Sequence, residues 1–364
     1  MLVDIIAGAR PNFMKIAPII HEFQNKNYAN LSFRLIHTGQ HYDKRMSGDF
    51  FDQLNIPLPD VNLESGSGTQ AEQTAKIMIR YEALLIDKPC DLTLVVGDVT
   101  STMACSIAAK KMNIKVAHVE AGIRSFDLSM PEEINRMVTD SITDYFFTTS
   151  RLANQNLLKL GAKEDTIFFV GNTMIDTLLK NRNRFFKPQI FDELKLIDQN
   201  YAVMTLHRPA NVDQEYKLKA LIQEIADNSK GIPLIFPIHP RTAKVFDTIG
   251  ISHPNLHLIE PLSYLEFNYL VERSKVVITD SGGITEETTV MGVPCLTLRD
   301  NTERPETCSI GTNELVGTDP SAIKPALDIL FSGKWKKGGI PELWDGKAAE
   351  RIVNKLSQIS ERRV

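Results

Sequence analysis

The stretch DLTLVVGDVTSTMACSIAAKKMNIKVAHVEAGIRSF, residues 91–126, decides the fold class. Two nearly continuous apolar runs, LTLVV and KVAHV, flank a helix-like segment that starts at Ser101. Apolar runs of this kind, separated by a helix, are typical of parallel strands buried on both faces. The stretch therefore predicts a strand, a crossover helix and a second parallel strand, which is the repeating unit of an α/β protein.

A carboxylate follows each of these two strands. Asp98 ends the first and Glu120 ends the second, and MPEEINR then supplies a third acid, Glu132. Ligands of open α/β sheets bind at the carboxyl ends of the strands, so we interpret the three acids as candidates for proton transfer on a small substrate. An acid after a strand is also often a turn residue or a helix cap, and for each acid alone that alternative stays open.

The alternation of strand-like and helix-like stretches extends over the whole chain and restarts at YAVMTLH, after a polar, charge-rich interruption at residues 178–200. A chain of 364 residues is long for a single core. We therefore expect two doubly wound, Rossmann-like α/β domains, with the active site in the cleft between them. The expected parts are 1–175, 176–344 and a terminal helix, 345–364, which can pack back on the N-terminal domain.

Composition argues against several classes of function. No apolar run approaches the ~20 residues that cross a bilayer, and the start, MLVDIIAGARPNF, lacks the basic region of a signal peptide. We therefore expect a cytoplasmic protein without a membrane partner. The formal net charge of −4 and the lack of a long basic block argue against nucleic acid. The spacing of Cys90, Cys105, Cys295 and Cys308 predicts neither structural zinc nor a disulfide framework.

The turn after the first predicted strand, GARPNFMK, is a candidate anion site. Gly8 permits a tight turn, and the N–H groups that open the next helix favour an anion. Arg10 and Lys15 add the positive charge that a diphosphate needs. The motif is neither GxGxxG nor a Walker loop, which disfavours nicotinamide and P-loop functions. Cations on the surface of a helix start are the alternative.

A second candidate phosphate loop is TDSGGITEE, after the strand-like run KVVI. Ser281, Gly282 and Gly283 can offer N–H groups and a hydroxyl to phosphate, and Glu286 or Glu287 can accept hydrogen bonds from ribose hydroxyls. A well-capped helix with an acid in its first turn is the alternative, but it does not explain the double glycine.

TLHRPAN places His207 and Arg208 at the end of the second domain's first strand, the position that GARPNF occupies in the first domain. Two such strand ends facing each other across a cleft would hold a nucleotide diphosphate. His118 lies inside a strand-like run, so we expect a structural role for it. For Gln40 and His41, in HTGQHYDKRM, contact with substrate hydroxyls and helix capping both stay open, and no spacing there indicates a metal.

Several stretches recur in a fixed order between residues 8 and 307: GARPNFMKIAP, TGQH, VVGDVTSTMA, HVEAGIRS, MPEEINR, VGNTMIDTLL, LHRPAN, HP, DSGGITEE and LRDNTERPET. As an ordered set they resemble the non-hydrolysing UDP-N-acetylglucosamine 2-epimerase family. The resemblance implies a fold of the glycosyltransferase-B type, a UDP-sugar as substrate and a homodimer. It implies neither a metal nor a nicotinamide cofactor.

The resemblance also implies a reaction that explains the acids. The C2 proton of an N-acetylhexosamine is not adjacent to a carbonyl, so the family eliminates UDP to form 2-acetamidoglucal and then adds UDP back, with a proton delivered to the opposite face of C2. The result is reversible conversion of UDP-N-acetylglucosamine to UDP-N-acetylmannosamine for surface polysaccharide. Two faces need proton-transfer groups, and a departing diphosphate needs cations.

Residue by residue, the family's functional positions fall on the motifs of this sequence. The expected catalytic residues are Asp98, Glu120, Glu132 and His207. The residues expected to bind UDP and the sugar are Arg10, Lys15, Gln40, His41, Arg208, His239, Ser281, Gly282, Gly283, Glu287 and Arg304.

Departures from the family pattern bear on regulation and substrate. The common GTRPE is GARPN here, HRREN is HRPAN, and Asp43 replaces a glutamine. Members activated by their own substrate use a site near these stretches, so we expect no obligatory activation by UDP-N-acetylglucosamine. GARPNF is similar to relatives acting on modified sugars, such as UDP-2,3-diacetamido-glucuronate or UDP-N-acetyl-6-deoxyhexoses, which remain an alternative. A hydrolysing epimerase that releases N-acetylmannosamine, a glycosyltransferase of the same fold and a non-catalytic sensor are further alternatives.

Overall fold

The computed structural model describes residues 1–25, 28–39, 51, 53–212, 214–238, 246 and 250–361, with all of their side chains except those of Arg10, Pro209 and Ala210. The chain forms two compact units. Unit 1 comprises Met1–Thr177 and Glu342–Val364, and unit 2 comprises Leu178–Pro341.

Unit 1 contains a seven-stranded sheet. Its strands are β1 Leu2–Ala7, β2 Ser32–His37, β3 Val61–Asn62, β4 Leu92–Val96, β5 Lys115–Val119, β6 Tyr145–Thr148 and β7 Ile167–Phe169. All pairs are parallel, in the order β3-β2-β1-β4-β5-β6-β7. The chain winds outward from β1 to β3 and then returns to the other side of β1, so the direction of winding switches between β1 and β4.

Helices cover this sheet and connect its strands. They are α1 Arg10–Asn25, α2 Gln70–Asp87, α3 Thr100–Lys111, α4 Pro131–Ile142, α5 Arg151–Lys159 and α6 Thr173–Asn181. The start of α2 follows from its sequence: Thr69 accepts a hydrogen bond from the Glu72 N–H, and the Glu72 carboxylate accepts one from the Thr69 N–H at 2.8 Å. This reciprocal capping satisfies two N–H groups that the helix itself leaves without partners.

The C-terminal helix, Ala348–Glu361, belongs to unit 1 and packs against α1. Its apolar residues recur with helical spacing and are buried, among them Ile352, Leu356 and Ile359. Asp176, from α6, caps its first turn by accepting hydrogen bonds from the N–H groups of Ala348 and Ala349, at 3.1 and 2.7 Å. The chain therefore returns to unit 1 after completing unit 2.

Unit 2 contains a six-stranded sheet with the same winding. Its strands are β8 Ala202–Thr205, β9 Leu234–Pro237, β10 Leu256–Ile259, β11 Val276–Thr279, β12 Cys295–Thr297 and β13 Asn313–Leu315. They are parallel in the order β10-β9-β8-β11-β12-β13, so the winding switches between β8 and β11. The helices are α7 Gln189–Glu193, α8 Pro209–Val212, α9 Glu215–Asn228, α10 Tyr264–Arg273, α11 Gly282–Met291, α12 Pro305–Ser309 and α13 Ile323–Phe331.

The predicted fold class, α/β with two doubly wound Rossmann-like sheets, is confirmed. The near-continuous apolar runs are the reason that the sequence indicated it, because β1, β4 and β11 are buried over almost their full lengths. In the part of the chain that the structure describes, no helix combines the length and the apolar character needed to cross a membrane.

Candidate active site

Both switch points carry residues that the sequence analysis selected. In unit 1 the turn after β1 leads to Lys15, and the turn after β4 holds Asp98. In unit 2 the loop after β8 holds His207, and the turn after β11 holds Ser281. The carboxyl ends of strands at a switch point are where doubly wound folds bind ligands, so each unit by itself carries a group of candidate ligand-binding residues.

Lys15 and Glu120 form a close ion pair in unit 1. The Lys15 Nζ atom lies 2.6 Å from Glu120 Oε2, and Glu120 is buried. Glu120 has a φ of 69°, a region that residues other than glycine rarely adopt. Gly97 makes room for the pair: it has a φ of 71°, and a Cβ atom there would lie 3.1 Å from Lys15 Nζ. The ammonium and the carboxylate are therefore held together within hydrogen-bonding distance at the end of β5.

Asp98 is held by an arginine that the sequence analysis did not select. Arg136, on α4, places Nη2 2.6 Å and Nε 3.1 Å from Asp98 Oδ2. Asn135 Nδ2 donates to the Asp98 carbonyl at 2.8 Å. The Asp98 side chain is 22% exposed, whereas that of Arg136 is buried. Asp98 therefore has a fixed orientation and one face open to a ligand.

The two adjacent glutamates of MPEEINR differ in their contacts. Glu133 is buried and accepts hydrogen bonds from the Ser125 N–H, the Ser125 hydroxyl and the Phe126 N–H, all within 3.1 Å, and it also pairs with Arg136. Glu132 is half-buried, and its side chain makes no hydrogen bond or ion pair with any residue in the described part of the chain. Of the two, Glu132, the residue that the sequence analysis selected, is therefore the one whose carboxylate has no partner among the described residues.

His118 is a buried connector between the loops that carry the acids. Its Nδ1 lies 2.7 Å from Asp140 Oδ1, and its Nε2 lies 2.8 Å from the Gly97 carbonyl oxygen. Asp140 also pairs with Arg124 at 2.6 Å. Burial raises the pKa of Asp140, but the charges and hydrogen bonds of His118 and Arg124 outweigh it, and the pKa is lowered overall. The contacts thus tie the turns after β4 and β5 to α4.

His207 in unit 2 contacts a buried acid that the sequence analysis did not select. Its Nδ1 lies 2.8 Å from Oδ1 of Asp280, and the His207 side chain is 59% exposed while that of Asp280 is fully buried. Burial raises the pKa of Asp280, but hydrogen bonding and charge from His207, with hydrogen bonds from Arg208 and Asn211, lower it overall. The exposed imidazole is therefore anchored through one ring nitrogen.

Two arginines flank the amino end of α11, which the Ser281–Gly283 loop begins. Arg299 Nη2 lies 2.6 Å from Glu303 Oε2, and Arg208 Nη2 lies 3.8 Å from Glu303 Oε1. A Cβ atom on Gly282 would lie 3.7 Å from Glu303 and 3.8 Å from Arg299. Arg208 and Gly282 are thus brought into one cluster by residues that sequence reasoning missed, and this cluster offers positive charge and helix N–H groups to an anion.

The structure separates the roles of Glu286 and Glu287. Glu286 forms a buried ion pair with Arg304, so the guanidinium expected to bind substrate is engaged within the protein. Glu287 accepts a hydrogen bond from the Tyr264 hydroxyl at 2.8 Å. Burial raises the pKa of Glu287 to about 7. When ionised, this carboxylate only accepts hydrogen bonds, which suits it to ribose hydroxyls.

Some of the expected site residues cannot be placed. Gln40, His41 and His239 lie outside the described residues, and for Arg10 only the backbone is described, at the first position of α1. Among the residues that are described, no group of three or more His, Cys, Asp or Glu side chains could hold a metal ion.

Two Rossmann-like sheets, with acids near one switch point and a double-glycine helix start at the other, place the chain among the doubly wound α/β proteins. The family model for UDP-N-acetylglucosamine 2-epimerase matches residues 22–357. The UDP-N-acetylglucosamine 2-epimerase of Methanocaldococcus jannaschii is 42% identical over 374 residues, which cover 98% of this chain and 99% of that protein. The chain belongs to the UDP-N-acetylglucosamine 2-epimerase family, as the sequence predicted.

Two further relatives bear on fold and substrate. A crystal structure of the M. jannaschii enzyme in complex with UDP-GlcNAc and UDP is similar to this chain with a TM-score of 0.87 at 41% identity, covering 98% of this chain and 100% of that one. The UDP-2,3-diacetamido-2,3-dideoxy-D-glucuronate 2-epimerase of Pseudomonas aeruginosa is 37% identical over 364 residues, covering 99% of this chain and 100% of that protein.

Proposed function

We propose that the protein catalyses the reversible epimerisation of UDP-N-acetylglucosamine at C2 to UDP-N-acetylmannosamine and so supplies N-acetylmannosamine-type sugars for surface polysaccharide. The observation that supports this most is the set of three acids at the carboxyl end of one sheet. Glu120 pairs with Lys15, Asp98 pairs with Arg136, and Glu132 makes no bond to a described residue. Removing a proton from one face and returning it to the other needs more than one such group.

The proposed reaction has two stages that mirror each other. A basic group takes the C2 proton, the electron pair of that bond forms a C1–C2 double bond, and the pair of the C1–O bond leaves with UDP. UDP then adds back at C1 of the 2-acetamidoglucal while an acidic group delivers a proton to the opposite face of C2. Asp98, Glu120 and Glu132 are the proposed proton-transfer groups, without a division of the two faces among them.

Cations would stabilise the charge that develops on the departing diphosphate. We assign this role to Arg10 and Lys15 in unit 1 and to His207 and Arg208 in unit 2. Lys15 is suited to a double role, because its ammonium already contacts the Glu120 carboxylate at 2.6 Å. A change in the charge of one partner would therefore change the electrostatic energy of the other directly.

Unit 2 would bind the nucleotide. We assign phosphate binding to Ser281, Gly282 and Gly283 and ribose binding to Glu287. Support comes from the two arginines at this helix start and from the Glu287 carboxylate, which the Tyr264 hydroxyl orients at 2.8 Å. We assign Gln40, His41, His239 and Arg304 to substrate binding as well, although the buried pair with Glu286 leaves Arg304 a mainly indirect role.

Location and assembly are part of the proposal. Four cysteine thiols without disulfides fit a reducing compartment, which supports a cytoplasmic enzyme. Exposed apolar side chains in unit 1, including Phe126, Leu128 and Ile134, at 77, 64 and 48% exposure, support a homodimer that covers them. Light scattering on the purified protein would determine the molar mass.

A modified hexosamine is the second candidate substrate. The whole-length relative from P. aeruginosa, which is named for UDP-2,3-diacetamido-2,3-dideoxy-D-glucuronate, favours this candidate. Both substrates would use the same acids, because the chemistry at C1 and C2 is the same in each. They differ at C3 and C6, which the proposed proton-transfer groups need not contact.

The proposal is tested by incubating the protein with UDP-N-acetylglucosamine in D2O and following C2 by NMR. Deuterium at C2 in both UDP-sugars, with UDP retained, is the expected result. Release of free N-acetylmannosamine would indicate a hydrolysing epimerase instead. No exchange with UDP-N-acetylglucosamine, but exchange with the diacetamido-glucuronate, would select the second candidate.

A further inference from the structure

Asp280 lies between β11 and the Ser281–Gly283 loop, and its carboxylate collects the donors of a neighbouring loop. The N–H groups of His207 and Arg208 donate to it at 3.1 and 2.9 Å, and Asn211 Nδ2 donates at 3.1 Å. His207 Nδ1 completes the set at 2.8 Å. Four donors thus converge on one fully buried carboxylate.

The contact with the imidazole determines which ring nitrogen carries hydrogen. An ionised carboxylate offers only acceptors, so the hydrogen of a neutral His207 ring must sit on Nδ1. The lowered pKa of Asp280 agrees with an ionised group. The ring is 59% exposed, and its Nε2 makes no hydrogen bond with a residue in the described part of the chain. Nε2 is therefore the ring atom that a ligand can meet.

We propose that Asp280 is a positioning residue for His207, which holds the ring in the Nδ1–H tautomer and directs Nε2 to the bound sugar nucleotide. This inference rests on the proposed function, in which His207 contacts the substrate. Because Asp280 directly precedes Ser281, the same residue couples the position of Nε2 to the start of the phosphate loop. His207 then acts through Nε2 as acceptor when neutral and as donor when protonated.

Asp280→Asn tests this coupling at nearly constant size. The introduced amide replaces one acceptor oxygen with a donor, and four donors cannot all be satisfied by the oxygen that remains. His207 can relieve the conflict by moving its hydrogen to Nε2 and accepting through Nδ1, which presents the wrong group to the ligand. We expect kcat to fall by about 10²–10⁴-fold, the range for general acid–base catalysis, whose upper end is reached when an Asp→Asn change leaves a catalytic histidine in the wrong tautomer, with the Kd of UDP within a few-fold of wild type.

The tautomer is read directly by NMR. Protein labelled with ¹⁵N-histidine in alkaline buffer should show the His207 ring with hydrogen on Nδ1 in wild type and on Nε2 in Asp280→Asn. His207→Gln assigns the resonance among the eight histidines. Asn211→Ala is the matched control, because it removes one donor to the same carboxylate but leaves the ring contact. It should keep the Nδ1–H tautomer and lose less than about tenfold in kcat, the scale of one hydrogen bond.

The outcomes separate the two proposals. A wild-type His207 with its hydrogen on Nε2 overturns the role of Asp280, whatever the catalytic activity. So does Asp280→Asn with an unchanged tautomer and an unchanged kcat. A wild-type protein that epimerises no UDP-hexosamine contradicts the proposed function, yet its spectra still decide the role of Asp280. If Asp280→Asn does not fold, the wild-type spectrum alone remains decisive.

Discussion

Two adjacent residues at the start of α4, Glu132 and Glu133, have the same side chain but different surroundings. The Glu133 carboxylate accepts hydrogen bonds from the N–H groups of Ser125 and Phe126 and pairs with Arg136. The Glu132 carboxylate makes no such contact with the described residues. A general acid or base must have its carboxyl group accessible to substrate. The contrast between these neighbours therefore allows catalysis and structure to be tested separately.

The first prediction compares Glu132→Gln with Glu133→Gln. We expect Glu132→Gln to lower kcat by at least ~100-fold, the scale of a lost general acid or base, with an unchanged Tm. Glu133→Gln should instead destabilise the protein by about 1–3 kcal/mol, because a donor replaces an acceptor among buried donors. Steady-state kinetics and thermal unfolding of both variants provide the measurement. Equal loss of activity in two equally stable variants would contradict the assignment.

The second prediction concerns Glu287. Burial raises the pKa of its carboxyl group from the ordinary value of 4.5 to about 7. Ribose hydroxyls donate hydrogen bonds, so the ionised carboxylate binds them better, and uridine should bind more tightly as pH rises through 7, with release of a proton. The same raised pKa means that its contribution to stability is present below pH 4.5 and is lost as pH rises through about 7.

Calorimetric titration of uridine in buffers of different ionisation enthalpy measures this proton release. Uridine carries no phosphate that titrates in this range, so the nucleoside is preferable to UDP. Glu287→Gln is the control, and its affinity for uridine should not vary with pH across this window. Proton uptake on binding to wild type would reverse the predicted sign and exclude Glu287 as the ribose acceptor.

At the residue scale, the sequence could indicate which side chains end the strands, because hydrophobic periodicity and short motifs involve only residues that are close together in the chain. Asp98, Glu120 and His207 all follow such ends closely, and Lys15 lies in the helix that follows β1. The partners Arg136 and Asp280 were missed because they are distant in sequence: Arg136 is 38 residues from Asp98, and Asp280 is 73 residues from His207. Their roles depend on how strands are ordered in the sheet, which no short motif encodes.

At the scale of elements, the succession of strands and helices was the most predictable feature. Buried parallel strands need apolar residues on both faces, so β4 and β5 are visible as nearly continuous apolar runs. The order of the strands could not be read from the sequence in the same way. The C-terminal helix is capped by Asp176, an acid inside α6, and the sequence around Asp176 does not indicate this capping role.

The third prediction tests that cap. Burial raises the pKa of Asp176 from 3.8 to about 6, despite hydrogen bonds from the N–H groups of Ala348 and Ala349. A raised pKa stabilises the folded state fully below pH 3.8, and this contribution is lost as pH rises through about 6. We expect Asp176→Asn to cost about 1 kcal/mol, the typical scale of a lost helix cap, and to remove this part of the pH dependence.

Urea unfolding between about pH 4 and pH 7, the window set by these two pKa values, gives the free energy of unfolding for wild type and variant. Ser150→Ala, which removes the cap of α5, is a control that should lose stability without changing the dependence on pH. A wild-type curve and an Asp176→Asn curve that run parallel throughout the window would show that Asp176 is not the titrating group.

At the scale of the whole molecule, the chain crosses from unit 1 to unit 2 within α6, between Thr177 and Leu178, and returns for its last helix. The residues proposed for proton transfer lie in unit 1 and those proposed for the phosphate loop and the ribose lie in unit 2, while the proposed diphosphate cations are divided between the two units. Neither unit alone therefore contains the proposed complement of groups. Regulation by a second nucleotide sugar is a further question at this scale, and the resemblance places the activating site near residues that depart from the family pattern.

The last prediction is that activation by UDP-N-acetylglucosamine is not obligatory. Asp43 stands where the resemblance places a glutamine, and Ala210 stands where it places a polar residue. A carboxylate facing a second diphosphate would repel it. Pure UDP-N-acetylmannosamine should therefore be converted without a lag and without added UDP-N-acetylglucosamine. Asp43→Gln is the matched variant, and it should bring back a lag that trace UDP-N-acetylglucosamine abolishes. A lag already present in wild type would show that an activating site persists despite the carboxylate.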